Sequence, residues 1–415
     1  MKNYVIIGNA IAATGCIEGI RSVDKEGKIT VVSAETRPAY CRPLISYYLE
    51  GKTTVEKMSY RAPDFYDKNG CEVLYGKKAV KLDAENRTVS LDDGSTLPYD
   101  EVCVAAGSSP FVPPFGGLDT VPAKYSFMTL DDTLALEQAI TPESRVLIVG
   151  AGLIGLKCAE GIRERVKELT VCDLADRVLS SILDSECAAI MQKQLEDHGI
   201  RFLLGDSADR FEGSRAYMKS GEVVDFDVLV LAVGVRANTG LVKEAGGEVN
   251  RGIVVDTRMR TSLPHVYAAG DCAEGEDITF GGRRVLAILP NASIQGRCAG
   301  VNMAGGEDVF DKAMPMNSIG FFGLHAMTAG SYYGEAEGGM MFEERTPTKL
   351  KRLFTRDGLL TGFILIGEPE RAGIYTALIR EKVPLKEIDF DRLKKVATTT
   401  VFSAEERRKK FGGVV

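Results

Sequence analysis

Two glycine-containing turns, about 140 residues apart, constrain the fold of this chain more than any other feature. Each turn follows a run of β-branched residues, precedes a helix-like stretch, and is followed further along by an acidic residue. A strand, a glycine turn and a helix N-terminus in that order form a phosphate-binding βαβ unit. Two such units predict two nucleotide cofactors in one chain, which is the arrangement of an electron-transfer pair.

The second turn carries the complete pattern. It reads RVLIVGAGLIG from residue 145, with glycines at positions 150, 152 and 155. Such glycines permit a tight turn, a close approach of the backbone to a pyrophosphate, and packing of helix on strand. Asp173 ends the next apolar run, 18 residues after Gly155, where a carboxylate accepts from the ribose hydroxyls of NADH and repels the 2′-phosphate of NADPH. Arg177, four residues further on, could weaken that preference.

The first turn is degenerate. YVIIGNAIAATG, from residue 4, keeps Gly8 but has Ala10 and Ala13 where the second and third glycines are expected. Alanine is accepted at the third position, whereas the methyl group of Ala10 occupies space where a cofactor must approach. The following strand leads to Glu35, 22 residues after Ala13, at the distance of a ribose-binding carboxylate. An ordinary strand, turn and helix without a ligand is the alternative for this motif taken alone.

Composition argues against several classes of partner. The formal net charge of −7 and a sequence pI near 5.4 disfavour nucleic acid or an anionic membrane as the main partner. No stretch approaches 18 consecutive apolar residues and no signal peptide precedes the first strand, so we expect a cytoplasmic protein without a membrane span. The nine cysteines are scattered without metal-binding spacing, and we expect most of them to be core residues in a reducing compartment.

Two further segments place glycines where a strand ends. Residues 101–110 contain an apolar run that leads to Gly107, where the chain leaves one domain. A later run leads to Gly270 and Asp271, and an aspartate there can accept a hydrogen bond from a ribityl hydroxyl of a flavin. A helix that begins near Asn291 would direct its positive end to the pyrimidine edge of the flavin ring, where negative charge gathers on reduction.

The order of these motifs resembles that of the pyridine nucleotide–disulfide oxidoreductase superfamily of FAD flavoproteins. The motifs are the first glycine turn, AAGSSP, GAGLIG, AVGVRANT and TSLPHVYAAGD, and they cover about residues 1 to 305. The resemblance implies an α/β protein with two Rossmann-like three-layer dinucleotide-binding domains and a C-terminal α+β domain. It implies an FAD-binding domain of residues 1–112 and 246–308, an inserted NAD(H)-binding domain of residues 113–245, and a cover or interface domain of residues 309–415.

The motifs and the resemblance together define the expected cofactor contacts. For FAD these are Gly8, Ala10, Ile11, Ala12, Glu35, Arg42, Pro43, Val80, Ala106, Gly107, Gly270, Asp271, Pro290 and Asn291. For NADH these are Gly150, Gly152, Leu153, Ile154, Gly155, Asp173, Arg177 and Gly234. No metal site is expected, because neither the cysteines nor the three histidines cluster.

Residues 34–52 indicate the branch of this superfamily. AETRPAYCRPLISYYLEGK resembles the P-Y-x-R-P-x-L-S segment of rubredoxin reductases, ferredoxin reductases and the flavin part of assimilatory nitrite reductases. The resemblance places Arg42 near the FAD pyrophosphate and begins a helix under the flavin ring at Pro43. The paired cysteines of the disulfide branch are missing from this segment, and Ile11 stands where the oxidase and peroxidase branch has a histidine. Both differences argue against disulfide, peroxide or oxygen chemistry through a cysteine.

Two residues near the expected flavin position are candidate catalytic groups. Cys41, beside Arg42 and a helix start, is either a thiol with a lowered pKa or the occupant of a slot that holds a polar residue in the reductases. Lys157 stands where related reductases carry a glutamate, and Tyr47 where they carry a lysine. Lys157 therefore either balances the negative charge of the reduced flavin or is a solvated helix residue beside Glu160.

The leading functional hypothesis is an FAD-dependent NADH oxidoreductase. Hydride would pass from NADH to flavin N5, and electrons would then leave for a rubredoxin, a ferredoxin or an iron–sulfur enzyme, with the chain acting alone or as the NADH-facing subunit of a complex. An NADH oxidase or disulfide reductase that uses Cys41 is one alternative, and a non-catalytic flavoprotein that senses NADH is another. NADPH is expected to be a weaker donor, and a homo-oligomer is compatible with the sequence.

Overall fold

The computed structural model describes residues 1–411 of the chain. The chain divides into two compact units. The first unit consists of Met1–Leu179, Glu196–Glu276 and Arg283–Ala313. The second unit consists of Ser180–Leu195, Asp277–Gly282 and the described residues from Met314 onward. Among residues 1–411, no helix is both long enough and apolar enough to cross a membrane.

The first glycine turn leaves the central strand of a parallel sheet in the first unit. The strands of this sheet lie in the spatial order Val266–Ala268, Glu101–Val104, Asn3–Ile7, Lys28–Ser33 and Cys71–Tyr75. The central strand is buried on both faces, because its run of Val5, Ile6 and Ile7 is apolar without alternation. The helix Ile11–Val23 follows the turn and shares the core of this sheet through Ile17.

The second glycine turn leaves the central strand of a second parallel sheet. Its strands lie in the spatial order Arg201–Leu204, Glu168–Asp173, Arg145–Val149, Val228–Leu231 and Lys124–Ser126. The helix Leu153–Ile162 follows this turn as Ile11–Val23 follows the first. Both glycine turns therefore lie at the carboxyl end of a central parallel strand, which is where doubly wound folds bind their ligands.

The remaining elements of the first unit are shorter. Two antiparallel sheets are formed by Ala79–Asp83, Thr88–Leu91 and Thr96–Pro98, and by Ala208–Glu212, Arg215–Met218 and Val223–Asp225. Smaller sheets are formed by Ser108–Pro110 with Val235–Ala237, and by Ile253–Val254, Ala273–Asp277 and Gly282–Arg284, although Asp277 and Gly282 themselves are assigned to the second unit. The other helices are Leu44–Leu49, Phe65–Lys68, Leu130–Ala139, Gly240–Glu244 and Leu289–Met303, with 3₁₀ turns at Glu56–Met58, Leu118–Thr120 and Arg163–Arg165.

The helices Ile11–Val23 and Leu289–Met303 contact each other along four glycines, two on each helix. These glycines are Gly15, Gly19, Gly296 and Gly300. A Cβ atom built on any of them would lie 2.0–2.4 Å from a backbone carbonyl oxygen of the facing helix. No side chain can be accommodated at such a distance, so this crossing depends on glycine at all four positions. The contact fixes the start of Leu289–Met303 against the start of the helix that follows the first turn.

The second unit is built on an antiparallel sheet. Its strands lie in the spatial order Met316–Phe321, Leu324–Gly330, Leu359–Ile366, Leu350–Arg356 and Gly339–Arg345. Asp357 and Gly358 both have positive φ and form the tight turn between two of these strands, as Asp-Gly pairs favour. Its helices are Ser185–Asp197 (as far as Leu195), Ala372–Arg380, Phe390–Lys395 and Ala404–Phe411, with 3₁₀ turns at Glu335–Glu337, Leu385–Glu387 and Thr399–Val401.

The structure confirms the predicted fold class. Two parallel sheets carry the two glycine turns, and a separate antiparallel sheet with helices follows them in the chain. The helix expected near Asn291 begins at Leu289. The division into FAD-binding and NAD-binding domains at residues 112, 245 and 308 stays a prediction, and residues 412–415 of the expected C-terminal domain lie outside the described residues.

Substitution of a glycine in the helix contact should destabilise the protein. In Gly296→Ala the new methyl carbon would lie 2.0 Å from the carbonyl oxygen of Ala12 unless the helices separate. Overpacking of this kind costs about 1–3 kcal/mol, so we expect a lower urea midpoint and weaker retention of FAD. Gly373→Ala is the control, because Gly373 lies in the helix Ala372–Arg380 with open space around its Cβ position. Equal effects of the two substitutions would contradict this account.

Candidate cofactor-binding site

The first glycine turn contains a buried hydrogen-bond donor. Gly8 has a φ of +110°, and a Cβ atom there would lie 2.1 Å from the carbonyl oxygen of Ala105, so only glycine fits. The next residue, Asn9, accepts a hydrogen bond from the Tyr66 hydroxyl at 2.6 Å, while its buried amide nitrogen has no partner within residues 1–411. A buried N–H group without an acceptor is costly. The turn therefore fits a ligand that brings acceptor oxygens, as a dinucleotide does.

Three segments converge beside this turn. The Cβ position of Gly270 lies 3.0 Å from the Cβ atom of Ala12 and 3.7 Å from that of Ala292. The Gly270 N–H donates to Oε1 of the buried Gln295 at 2.9 Å, which ties the Gly270 turn to the later helix. Asn291 is buried in the first turn of that helix, next to Pro290. The glycine-mediated helix contact thus brings FAD residues predicted in separate motifs to one place.

The helices at both glycine turns, and the helix after Gly270, begin without a side-chain cap in the part of the chain that the structure describes. These helices are Ile11–Val23, Leu153–Ile162 and Leu289–Met303. Elsewhere in the first unit, Thr129 and Asp132 form a complete capping box at the start of a helix, whereas the short helices Leu44–Leu49, Phe65–Lys68 and Gly240–Glu244 also lack a side-chain cap. First-turn N–H groups that are left for a ligand, together with the positive end of the helix dipole, bind phosphate well. Two of these uncapped starts coincide with the two predicted pyrophosphate turns, and the third is the helix start predicted at the pyrimidine edge of the flavin.

Glu35 and Arg42 are joined directly. The Arg42 guanidinium forms an ion pair with Glu35 and donates to the main-chain oxygen of Met128 at 3.3 Å. The Tyr40 hydroxyl donates to the second Glu35 oxygen at 2.8 Å, and burial raises the pKa of Tyr40 to about 12. The structure therefore brings these two predicted FAD residues together. Their assignment to the ribose and the pyrophosphate stays a prediction.

Asp271 lies close enough to Arg42 to interact with its charge. Burial raises the pKa of the Asp271 carboxyl, and the positive charge of Arg42 opposes that rise. The neighbouring Cys272 thiol donates to the main-chain oxygen of Val104 at 3.2 Å, which fixes the Asp271 turn against the parallel sheet. A carboxylate held in this way is a strong acceptor for a ligand hydroxyl, as the sequence predicted for a ribityl group.

Asn238 holds the turn that contains Ala106 and Gly107. Its side-chain N–H donates to the Ala106 carbonyl at 2.8 Å, and its main-chain N–H donates to the Gly107 carbonyl at 2.9 Å. Its side-chain oxygen accepts from the Ser109 hydroxyl at 2.8 Å. Gly107 has a positive φ, and its Cβ position faces open space. Val80, which was also predicted to contact FAD, lies on a short antiparallel sheet, and its side chain is 47% exposed.

The second turn has the backbone form of the first. Gly150 has a φ of +120°, and a Cβ atom there would lie 2.2 Å from the carbonyl oxygen of Ala232. A Cβ atom on Gly155 would lie 2.0 Å from the carbonyl oxygen of Gly150, so the third glycine is required for the helix to pack. The Cβ positions of Gly152 and Gly234 face open space, which leaves the backbone accessible to a ligand. These are the roles that the sequence assigned to a pyrophosphate turn.

Asp173 is bound to the second turn through its carboxylate. One oxygen accepts from the Ala151 N–H at 2.6 Å and the other from the Ala175 N–H at 2.8 Å. Arg177 forms an ion pair of 2.7 Å with its neighbour Asp176, so part of its charge is balanced locally. Two further residues predicted to contact NADH, Leu153 and Ile154, are half-buried at the start of the helix that follows the second glycine turn.

Lys157 is largely buried. Its ammonium group pairs with Glu160, whose side chain is 5% exposed, and lies 5.1 Å from the centre of the Tyr47 ring. Lys52 approaches the same ring at 5.8 Å. The hypothesis of a solvated helix residue therefore holds only in part, because Glu160 is the partner of Lys157 but the pair is largely shielded from solvent. Its action on the flavin stays a prediction.

Cys41 does not have the environment of a reactive thiol. It is half-buried, its main-chain N–H donates to the Met58 carbonyl at 2.8 Å, and its carbonyl accepts from the Leu44 N–H at 2.9 Å. Burial raises the pKa of the Cys41 thiol, and a hydrogen bond from the Leu44 N–H only partly opposes that rise. A neutral thiol is a poor nucleophile. This direction argues against the alternative of a thiol with a lowered pKa and favours the alternative in which Cys41 occupies a slot that holds a polar residue in the reductases.

Sequence reasoning missed three polar residues that shape the site. Asn9 and Asn238 lie inside the motifs that were recognised, and an amide beside a glycine turn was the available signal for both. Gln295 carried no signal, because its contact with Gly270 depends on the packing of a helix from elsewhere in the chain.

Comparison with known proteins yields a family match and several relatives. The profile of the pyridine nucleotide-disulphide oxidoreductase family matches residues 2–296. The epsilon subunit of the NADH-dependent phenylglyoxylate dehydrogenase of Aromatoleum evansii is 35% identical over 393 residues, which cover 92% of each chain. The nitrite reductase [NAD(P)H] of Bacillus subtilis (strain 168) is 31% identical over 398 residues, which cover 93% of this chain and 48% of that protein.

A solved structure shares the fold. A chain of the covalent putidaredoxin reductase–putidaredoxin complex superposes with a TM-score of 0.87 at 23% identity, covering 96% of this chain and 97% of that chain. The family match includes both glycine turns and the Gly270 turn. The chain therefore belongs to the pyridine nucleotide-disulphide oxidoreductase family, and it is an NAD(P)H oxidoreductase whose cofactors are FAD and NADH.

Proposed function

We propose that this chain passes electrons from NADH, by way of FAD, to a separate redox protein or iron–sulfur enzyme, either alone or as the NADH-facing subunit of a complex. The observation that carries the proposal is the state of Cys41, the one cysteine in residues 34–52, which is half-buried with a raised pKa. Reduction of a disulfide or a peroxide through a cysteine needs a thiolate. A half-buried Cys41 thiol whose pKa is raised by burial therefore favours delivery of electrons to a separate redox centre over cysteine-based reduction.

The chain's own residues would position the reactants. When bound, FAD supplies the capacity to accept hydride and to release electrons singly or in pairs. The uncapped starts of Ile11–Val23 and Leu153–Ile162 would bind the two pyrophosphates, and Asp173 would accept from the ribose hydroxyls of NADH. Lys157 would place a positive charge near the flavin, where Glu160 and the Tyr47 ring hold its side chain in one position.

Two of these relatives and the solved structure support a protein acceptor. The phenylglyoxylate dehydrogenase relative is named as one subunit of an NADH-dependent dehydrogenase, and it matches this chain over nearly its whole length. The nitrite reductase is about twice as long as the matched region, so there the same segment is joined to further protein. The putidaredoxin reductase structure contains the fold in complex with putidaredoxin. These cases favour delivery of electrons to a protein-bound centre over delivery to a small dithiol.

Removal of the Cys41 thiol should leave turnover intact. We expect FAD-loaded Cys41→Ser to match the unmodified protein within about twofold, both in flavin bleaching by NADH and in reduction of an added rubredoxin or ferredoxin. Anaerobic rapid mixing measures both steps. Cys71→Ser is the control, because Cys71 is also half-buried and burial raises its pKa to about 11.

Two results would overturn the proposal in different ways. Loss of turnover in Cys41→Ser alone would support the oxidase or disulfide reductase alternative. Slow bleaching of the unmodified protein, with a long-lived charge-transfer complex, would support a flavoprotein that senses NADH.

Neutralisation of Asp173 should relax the preference for NADH. Asp173→Asn keeps an acceptor oxygen for one of the backbone donors but loses the charge that repels a 2′-phosphate. We expect the ratio of kcat/KM for NADH to that for NADPH to fall about tenfold, equivalent to about 1.4 kcal/mol. Glu168→Gln, at the exposed opposite end of the same strand, should leave the ratio unchanged. An unchanged ratio in Asp173→Asn would remove Asp173 from the ribose site.

The buried pair of Lys157 and Glu160 should behave as a unit. Lys157→Met leaves the carboxylate of Glu160 buried without its ammonium partner, and loss of one member of a buried pair costs about 3–5 kcal/mol. We expect a clearly lower melting temperature for Lys157→Met. The double variant Lys157→Met/Glu160→Gln should recover most of that loss, because no buried charge is then left uncompensated. A double variant as unstable as the single one would show that the pairing is unimportant.

A further inference from the structure

The side chain of Asn9 is only half satisfied in the first glycine turn. The preceding residue, Gly8, donates its N–H to the main-chain oxygen of Val32 at 2.8 Å, which fixes the turn to the neighbouring strand. Nδ2 of Asn9 is buried and has no hydrogen-bond partner within residues 1–411. An amide N–H that is shielded from water and lacks an acceptor is costly in a folded protein. The turn therefore favours a ligand that supplies the acceptor.

Tyr66 sets the orientation of this amide. Its hydroxyl accepts from the Ala39 N–H at 3.2 Å and donates to Oδ1 of Asn9 at 2.6 Å. Burial raises the pKa of Tyr66, so the hydroxyl keeps the proton that it donates. A hydroxyl has a single hydrogen, and the amide oxygen of Asn9 receives it. Nδ2, on the other branch of the amide, therefore keeps both of its hydrogens for another partner.

The Tyr66 hydroxyl is itself held in place. Ala39, which donates to it, is buried, and the Ala39 carbonyl accepts from the Tyr60 N–H at 3.0 Å. The Tyr66 ring packs edge-on against the ring of Phe65, with the ring centres 5.3 Å apart, and Phe65 belongs to the core of the first parallel sheet. All of these residues lie in the first compact unit. The group that orients Asn9 is thus fixed through both its ring and its oxygen.

We propose that Nδ2 of Asn9 donates a hydrogen bond to an oxygen of FAD, and that Tyr66 is the positioning residue that directs it there. The inference rests on FAD as the bound cofactor, which the proposed function also requires, and does not depend on the electron acceptor. A donor that is held in one orientation before its ligand arrives loses less side-chain entropy on binding. Tyr66 therefore acts on FAD through Asn9.

Two substitutions of Asn9 distinguish a contact with FAD from a purely structural role. Asn9→Asp keeps an oxygen for the Tyr66 hydroxyl but replaces the donor by a charged oxygen, whereas Asn9→Ala removes both groups. A structural role predicts the milder effect for Asn9→Asp. A contact with FAD predicts the milder effect for Asn9→Ala, because a carboxylate in the turn repels the pyrophosphate.

Release of FAD from the loaded full-length protein measures the effect. The rise in flavin fluorescence on dilution gives the dissociation constant of FAD. We expect this constant to rise about tenfold in Asn9→Ala and further in Asn9→Asp, because each loses the buried donor.

Tyr66→Phe tests the positioning role, because it removes only the hydroxyl. We expect the dissociation constant of FAD to rise about three- to tenfold in this variant. In the Asn9→Ala background the same substitution should change the constant by less than about twofold, because the residue through which Tyr66 acts is then absent.

Two matched controls lie in the same compact unit. Asn250→Asp adds the same charge at an exposed position. Tyr75→Phe removes a hydroxyl from a tyrosine that is 38% exposed at the end of the strand Cys71–Tyr75. Both should leave the dissociation constant of FAD unchanged.

The outcomes separate this inference from the proposed function. An unmodified protein that does not retain FAD would refute the proposed function itself. An unmodified protein that retains FAD, together with tighter binding in Asn9→Asp than in Asn9→Ala, would refute the contact alone. Equal effects of Tyr66→Phe in the two backgrounds would refute the positioning role. If Tyr66→Phe does not fold, the order of the two Asn9 variants still decides whether Asn9 contacts FAD.

Discussion

The site depends on a direct backbone contact between two helices that carry no side chains where they cross. Helix Ile11–Val23 follows the first glycine turn, and helix Leu289–Met303 comes from the last part of the nucleotide-binding segments. The carbonyl oxygens of each helix lie against the glycines of the other, at distances that no Cβ atom could tolerate. Because of this contact, two helix N-termini and the Gly270 turn share one small region of the molecule.

Both glycine turns require close packing of the helix that follows them, and they achieve it in different ways. In the second turn the third glycine is needed locally, since a Cβ atom on Gly155 would collide with the carbonyl oxygen of Gly150. In the first turn Ala13 is accommodated in the core, and close packing is instead achieved further along the helix, at Gly15 and Gly19. The degenerate motif is therefore not a weakened copy. Its glycines serve the contact between helices, while Gly8 alone serves the turn.

Local sequence patterns predicted much of the fold and of the candidate site. The apolar runs before the glycine turns identified the two central strands, and the spacing to Asp173 located a carboxylate that the structure binds to the second turn. The resemblance to reductases with a P-Y-x-R-P-x-L-S segment identified Arg42, which the structure places beside Glu35 and within the electrostatic field of Asp271. In each case the residue's position along the chain decides its surroundings.

Properties set by distant parts of the chain could not be predicted. The raised pKa of Cys41 follows from burial, which the sequence around it does not encode. Two of the carboxylate partners of Arg352, Asp184 and Glu186, lie more than 160 positions away in sequence, and nothing at either site indicates the other. For Lys157 only part of the environment could be predicted. The spacing to Glu160 was visible in the sequence, but the enclosure of the pair beside Tyr47 was not.

The central claim is that FAD is the redox centre and that the chain's thiols take no part. The most direct test is an anaerobic spectrophotometric titration of the FAD-loaded protein with NADH. A single equivalent of NADH per FAD should bleach the flavin completely, because the account assigns no electron storage to Cys41, a half-buried thiol whose pKa is raised by burial. Consumption of a second equivalent before bleaching is complete would contradict the claim.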